Sequence, residues 1–215
     1  MMNLNSRKVA RFIVIFYVIG LAGFMIPPTQ EFFIMLTKWA LLLNFMLLLW
    51  FHESRLGAPA IIIFSIIALS GYAVEVAGVE SGMIFGTYTY GSGLGIKLFE
   101  TPLLIGINWL MLSYCFASVL QPLKAALPLK ALLASAGMVA YDLVMEQTAP
   151  LLDLWSWEDG IVPLRNYLAW FVIALIFQSM LVFSKINMKN PLARVLLISQ
   201  FAFFALLLAY KYIAL

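Results

Sequence analysis

Long apolar stretches, separated by short polar ones, dominate this chain of 215 residues. Seven apolar runs approach the length that crosses a bilayer, and they cover residues 12–26, 32–51, 58–74, 103–120, 131–146, 167–183 and 195–210. A hydrocarbon core of about 30 Å needs about 20 helical residues, so the shorter runs need flanking residues to complete a span. The pattern predicts an all-α, polytopic membrane protein with about seven transmembrane helices in one bundle, and we treat residues 1–215 as a single integral membrane domain.

The composition agrees with a membrane protein. Apolar residues make up 64% of the chain and charged residues 11%, whereas soluble domains carry about 25% charged residues. A cleavable signal peptide is not expected, because the first run follows Arg7, Lys8 and Arg11 and meets Pro27-Pro28 instead of a small-residue cleavage site.

The distribution of basic residues predicts the orientation. If the N-terminus is cytoplasmic, nine Lys and Arg residues lie on the cytoplasmic side and three on the other side. This bias predicts a multi-pass protein of the cell inner membrane with its N-terminus in the cytoplasm and its C-terminus outside. The net charge of +3 therefore reflects topology, and it gives no reason to expect a nucleic-acid partner.

Cysteine and histidine are too scarce for a conventional metal site. The chain has one cysteine, Cys115, and one histidine, His52, which excludes a histidine-rich or thiolate site. We therefore predict no metal and no cofactor.

Two long irregular loops, after the third and fifth predicted helices, carry a similar motif. Corresponding positions, 67 residues apart, are Glu75 and Asp142, Tyr88 and Trp155, Tyr90 and Trp157, and Gly93 and Gly160. Because each loop joins two helices on the same side, the offset maps helix three, loop and helix four onto helix five, loop and helix six. This is the pattern of a parallel two-helix internal repeat.

Three acidic residues, Glu75, Asp142 and Glu146, lie within or at the ends of apolar helices. An ionisable group is costly there and indicates function by default. Asp142 and Glu146 are four residues apart and share a helix face. Removal from water and nearby like charges favour the neutral acid, which can donate a proton. The alternatives are that the acids are structural and that the aromatic residues are interfacial anchors.

Acids beside aromatic rings suit the protonation of an alkene, because the ring faces stabilise the resulting cation. Asp142-x3-Glu146 could instead bind Mg²⁺ for a diphosphate substrate, but the chain lacks the aspartate-rich pairs and the basic cluster that such substrates need. A seven-helix retinal protein needs a lysine in the middle of its last span, and Lys211 is at the end of that span.

The two motif blocks also resemble a known family. The matching residues are Glu75-x2-Gly78-x3-Gly82-x2-Phe85-Gly86-x-Tyr88-x-Tyr90, Gly95, Pro102 and Trp109, followed by Asp142, Trp155-x-Trp157, Gly160, Pro163, Asn166 and Trp170. They are similar to the carotenoid biosynthesis membrane family that contains the CruF-type carotenoid 1,2-hydratases. The resemblance covers residues 71–170. It implies a multi-pass hydro-lyase, independent of cofactors, that adds water to the terminal C1=C2 bond of an acyclic ψ end group, as in lycopene or γ-carotene.

This hypothesis gives each residue of the predicted site a role. Asp142, or Glu75 as second choice, protonates C2 and leaves a tertiary cation at C1, while Glu146 or Asn166 orients the water. The substrate-binding residues are Tyr88, Tyr90, Trp109, Trp155, Trp157 and Asn166. The expected partners are the carotenoid, membrane lipids and other carotenoid biosynthesis enzymes. Alternative functions are a carotenoid end-group cyclase or isomerase, and a non-catalytic pigment-binding or scaffold protein.

Overall fold

Seven helices form one membrane bundle in the computed structural model, which describes residues 5–214. The helices are α1 Ser6–Met25, α2 Pro27–Trp50, α3 Ala58–Ser81, α4 Leu104–Leu120, α5 Leu127–Thr148, α6 Leu164–Phe183 and α7 Ala193–Ala214. Four short strands lie in the two long loops, namely β1 Tyr88–Tyr90, β2 Lys97–Leu98, β3 Thr101–Pro102 and β4 Trp155–Trp157. The prediction of an all-α, polytopic membrane bundle is confirmed. Residues 1–4 and 215 of the predicted domain lie outside the described part of the chain.

The fourth helix is shorter than a membrane span. Six helices are long and apolar enough to cross a bilayer, but α4 has 17 residues, and its length of about 26 Å falls below a core of about 30 Å. The hairpin of β2 and β3 precedes α4 and lies against α3, where the Tyr72 hydroxyl donates to the Leu98 carbonyl at 2.7 Å. Tyr72 is nine residues before the C-terminal end of α3, so the hairpin lies alongside the last part of α3. The hairpin and α4 together therefore make up the fourth crossing of the membrane.

Helices α3 and α4 pack closely because small residues lie between them. A Cβ atom at Gly71 would lie 2.8 Å from Cβ of Trp109, so only glycine fits at this contact. Small residues at helix interfaces allow close backbone approach in membrane bundles. The contact places Trp109 one helical turn from Glu75.

The two long loops meet at one end of the bundle, which we call the loop end. Strands β1 and β4 pair antiparallel there, with Tyr88 opposite Trp157, Thr89 opposite Ser156 and Tyr90 opposite Trp155. This register is symmetric about a two-fold axis between Thr89 and Ser156, and the axis places each aromatic triplet on the other. The triplets are 67 residues apart in the sequence, so the strand pairing agrees with the offset of the predicted repeat. Thr89 and Ser156 are exposed, while the four aromatic residues are buried.

At the opposite end, His52 joins three parts of the chain. Its Nδ1 lies 2.6 Å from the hydroxyl of Tyr114 on α4, and its Nε2 lies 2.8 Å from Oγ of Ser54. Asn190, in the α6–α7 loop, donates to the Tyr114 hydroxyl at 3.0 Å and to the Leu48 carbonyl at 2.7 Å. Burial lowers the pKa of His52, and the opposing effect of Glu53 is smaller.

We predict that this histidine makes the fold sensitive to acid. Since the pKa of His52 is lower in the folded protein than in the unfolded chain, where it is about 6.5, the unfolded chain binds more protons below that pH. The stabilisation is therefore present above pH 6.5 and lost as the pH falls below it. Thermal unfolding in detergent at pH 7.5 and 5.5 should show a larger loss for the wild type than for His52→Gln. Equal losses would contradict the prediction.

The orientation of the bundle stays a prediction that labelling can test. Thr89 and Ser156 are exposed at the loop end, and Ala126 and Asn187 are exposed in the loops at the opposite end. We expect single cysteines at Thr89 and Ser156 to react with a membrane-impermeant maleimide added to intact cells, and cysteines at Ala126 and Asn187 to react only after lysis. A Cys115→Ser background removes the native thiol. Reaction in the reverse pattern would place the loop end in the cytoplasm.

Candidate active site

Glu75 is the centre of the first half of the site. It lies on α3, is 4% exposed, and accepts three hydrogen bonds. The hydroxyls of Tyr88 and Tyr90 donate to Oε2 at 2.6 and 2.8 Å, and the indole nitrogen of Trp109 donates to Oε1 at 2.8 Å. The two tyrosines reach one carboxylate because residues two apart on a strand point to the same face.

Both tyrosines remain hydrogen-bond donors. Burial raises the pKa of Tyr88 and Tyr90 above the usual range, and the nearby Glu75 carboxylate adds to the effect. Both phenols therefore stay neutral, and each donates to the Glu75 carboxyl group.

Glu146, on α5, is the centre of the second half. Its Oε2 accepts from the indole nitrogens of Trp155 and Trp157, both at 2.7 Å, and its Oε1 accepts from Nδ2 of Asn166 at 3.1 Å. The sequence offset aligned Asp142 with Glu75, yet the acid that receives the paired aromatic donors here is Glu146, 71 residues after Glu75. The reason is the tighter second loop, in which a short 3₁₀ helix at Ala149–Leu152 follows α5 directly. Trp155 comes only nine residues after Glu146, whereas Tyr88 comes thirteen residues after Glu75.

Asp142 lies one turn before Glu146 and differs from the other two acids. Its Oδ2 accepts from Nδ2 of Asn166 at 3.2 Å, and this amide nitrogen is shared with Glu146. Its Oδ1 is buried and has no hydrogen-bond partner among the described residues.

The structure brings all nine residues of the predicted site into one network. We call it the acid cluster, and it consists of Glu75, Asp142, Glu146, Tyr88, Tyr90, Trp109, Trp155, Trp157 and Asn166. Ring contacts join its halves, since Tyr88 and Trp157 have centroids 5.1 Å apart and Tyr90 and Trp155 have centroids 6.0 Å apart. The roles assigned to these residues stay predictions.

Two cavities adjoin the acid cluster. The smaller, about 10 Å³, lies between Glu75, Glu146, Asn166 and the rings of the strand pair. A volume of about 10–15 Å³ is what a single water needs. The larger, about 420 Å³, lies between α1, α2, α4, α5 and α7, and we call it the apolar cavity. Trp155 lines both cavities.

The apolar cavity reaches the lipid-facing surface. Phe12, Ile15 and Ile19 on α1 and Trp39 on α2 line it, and each is between 47% and 61% exposed. Exposed apolar side chains on a membrane bundle face lipid. A lipid-soluble molecule can therefore enter sideways from the bilayer.

A metal site is not evident among residues 5–214, where no group of three or more His, Cys, Asp or Glu side chains is arranged to hold an ion. The three acids instead receive phenol, indole and amide donors, which occupy the oxygens of Glu75 and Glu146 that a cation would need.

Sequence reasoning missed several neighbours of the site. Trp170, which belongs to the matching motif but was given no role in the predicted site, stacks on Trp109 with centroids 4.0 Å apart. Asp153 holds the two loops together, because its Oδ2 accepts from the backbone nitrogen and the hydroxyl of Ser92 at 2.8 and 2.6 Å. Sequence gave no sign of that contact.

Comparison with known proteins identifies the family. A family model described as "Carotenoid biosynthesis protein" matches residues 31–215, which is most of the chain. The chain belongs to this carotenoid biosynthesis family. The match confirms the resemblance seen in residues 71–170 and extends it over both ends of that segment. No curated protein and no solved structure gives a significant match. The family description names a biosynthetic pathway and specifies no reaction.

We predict that the three acids respond differently to amide substitution. Glu75→Gln and Glu146→Gln each turn an NH₂ group towards donors, which should lower the free energy of unfolding by about 1–3 kcal/mol. Asp142→Asn should cost less, because an amide reproduces the shape and donor of a neutral carboxylic acid. Thermal unfolding of the three purified variants measures the ranking. A loss for Asp142→Asn as large as the other two would show that Asp142 is also an ionised acceptor.

Proposed function

We propose that this protein is a carotenoid 1,2-hydratase, a hydro-lyase that adds water to the terminal C1=C2 bond of an acyclic ψ end group without a cofactor. The contrast among the three acids carries the proposal. Glu75 and Glu146 each accept three hydrogen bonds, whereas Asp142 has a buried oxygen without a partner. A buried carboxyl group with an unpaired oxygen is favoured in its neutral form, which carries a proton to donate.

The reaction begins with proton transfer. Asp142 gives its proton to C2 of the end group, the π bond supplies the electron pair for the new C–H bond, and C1 becomes a tertiary cation. General acid catalysis of this kind contributes about 10²- to 10⁴-fold to the rate. Asp142 then carries the negative charge, and Asn166 donates to it.

The acid cluster also suits the cation that follows. The carboxylates of Glu75 and Glu146 supply negative charge in a site removed from water, where fixed charges stabilise a developing charge strongly. The faces of Tyr88, Tyr90, Trp155 and Trp157 add the attraction of an aromatic ring for a cation. The hydroxyl hydrogens of Tyr88 and Tyr90 and the indole hydrogen of Trp157 are already bound to the carboxylates, so these three rings keep one orientation.

Water capture completes the reaction. One water, held between Glu75, Glu146 and Asn166, attacks C1 and loses a proton to Glu146. Transfer of that proton to Asp142, which shares the Asn166 amide with Glu146, restores the starting state. The balance is one water added and no net change in the enzyme.

The end group reaches the acid cluster from the apolar cavity. The small cavity has the volume of one water and is too small for an isoprenoid end group, so the two cavities must join during the reaction. Trp155 is the wall that they share, and displacement of its indole from Glu146 opens the passage. The polyene remains in the apolar cavity and extends into the surrounding lipid.

The water-sized cavity favours hydration over the alternative end-group reactions. A cyclase or isomerase forms the same cation but removes a proton from it, which requires that water be kept away. Here the space between the carboxylates suits one water, in contact with two bases. We place this activity in the cell inner membrane, with the loop end outside and the N-terminus in the cytoplasm, beside other carotenoid biosynthesis enzymes.

We predict that the proton of Asp142 is required. In a lycopene-producing bacterium, wild-type protein should yield a pigment heavier by one or two waters, and Asp142→Asn should lower the conversion by about 10²- to 10⁴-fold. In D₂O the wild-type product should carry one deuterium at C2 beside the new tertiary alcohol. Mass spectrometry and NMR of the extracted pigment measure both results.

Controls separate the possible failures. Asp142→Glu retains a transferable proton and should keep part of the activity, while immunoblots of membranes check that each variant accumulates. A product of unchanged mass would indicate a cyclase or isomerase. Unaltered pigment conversion by Asp142→Asn would remove Asp142 as the acid, and a hydroxylated product without deuterium at C2 would rule out protonation.

A further inference from the structure

The apolar cavity extends from Trp155 of the acid cluster along α2. Leu152, Leu154 and Trp155 line it at the loop end. Along α2 its lining extends from Phe33 to Asn44, which corresponds to about 17 Å at 1.5 Å per residue. A chain molecule with one end at Trp155 can therefore place a polar group beside Asn44, farther along the cavity.

Polar side chains from three helices meet beside Asn44. Asn44 on α2 is 2% exposed, and its Nδ2 donates to the hydroxyl of Tyr17 on α1 at 2.6 Å. Gln200 on α7 is 6% exposed and also lines the cavity. Phe203, one turn after Gln200, packs edge-on against Tyr17 with centroids 5.9 Å apart, which places α7 beside this pair.

Gln200 has an unused hydrogen-bonding atom. Its Oε1 is buried and has no partner among the described residues. An unpaired buried carbonyl is costly in a membrane protein, where no bulk water can satisfy it. Rotation about the last side-chain torsion, which is broad for glutamine, can turn the amide oxygen towards the cavity.

We propose that the apolar cavity binds a linear isoprenoid that carries a hydroxyl group at the level of Tyr17, Asn44 and Gln200. The hydroxyl donates a hydrogen bond to Oε1 of Gln200. A hydroxyl is required because the unpaired atom is an acceptor, and a carbonyl or ether oxygen on the ligand has no hydrogen to donate. The position of the reacting end at Trp155 rests on the proposed hydration, whereas the preference for a hydroxyl is a property of the cavity.

A pair of probes tests the proposal. Geranylgeraniol and its methyl ether have the same isoprenoid chain, but only the alcohol can donate a hydrogen bond. Competition of each against tritiated geranylgeraniol, with purified protein in lipid nanodiscs, measures both affinities without any turnover. The wild type should bind the alcohol about threefold to tenfold more tightly, as one net hydrogen bond allows.

Matched variants identify the atom responsible. Gln200→Leu should abolish the preference while binding of the methyl ether stays unchanged, which also shows that the cavity is intact. Gln178→Leu is the control, because Gln178 is likewise buried with an unpaired Oε1 but lies outside the cavity lining. It should keep the preference. Equal affinity of the wild type for both probes, or a preference that survives in Gln200→Leu, would overturn the proposal. A protein that binds the alcohol preferentially but hydrates no carotenoid would refute only the proposed reaction.

Discussion

Buried carboxylates control the structure of this bundle, because each one must find hydrogen-bond donors at a depth where water is scarce. Leaving a buried acceptor without a donor costs about 1–3 kcal/mol, and more when the group is charged. Glu75 and Glu146 obtain six donors between them, four of which come from the paired strands. The alternating aromatic residues of β1 and β4 follow from this need, since alternation turns both rings of a strand towards the same acid.

The strand pair in turn explains the glycines of the first loop. Gly93 approaches the second loop so closely that a Cβ atom would lie 2.6 Å from the Leu152 carbonyl, and Gly91 is crowded by Asp153 in the same way. The backbone nitrogens of Gly91 and Gly93 donate to Leu154 and Asp153, both at 2.9 Å. Larger residues would push the loops apart and withdraw the donors from both carboxylates.

Sequence alone predicted the helices and the three acids, because long apolar runs and acids within them are local signals. The aromatic triplets followed from the 67-residue offset, and Trp109 and Asn166 followed from the family resemblance. It could not predict that Glu146, rather than Asp142, receives the tryptophan donors, since this depends on how tightly the second loop returns over α5. It also could not reveal the apolar cavity. Tyr17, Asn44 and Gln200 are isolated polar residues in three separate helices, and only the packing of those helices brings them to one wall.

The same arrangement that stabilises the fold suits a cation more than an anion. A diphosphate or carboxylate substrate would meet two carboxylates that have no basic residue within the acid cluster to offset them, and like charges in a site of low polarity repel strongly. A carbocation reverses this relation, since it adds the positive charge that the cluster lacks and lies against ring faces. In the proposed reaction, Asp142, whose Oδ1 has no partner among the described residues, provides the proton that creates this charge. Stability and the proposed chemistry therefore depend on one feature, which is that two acids are fully supplied with donors and the third is not.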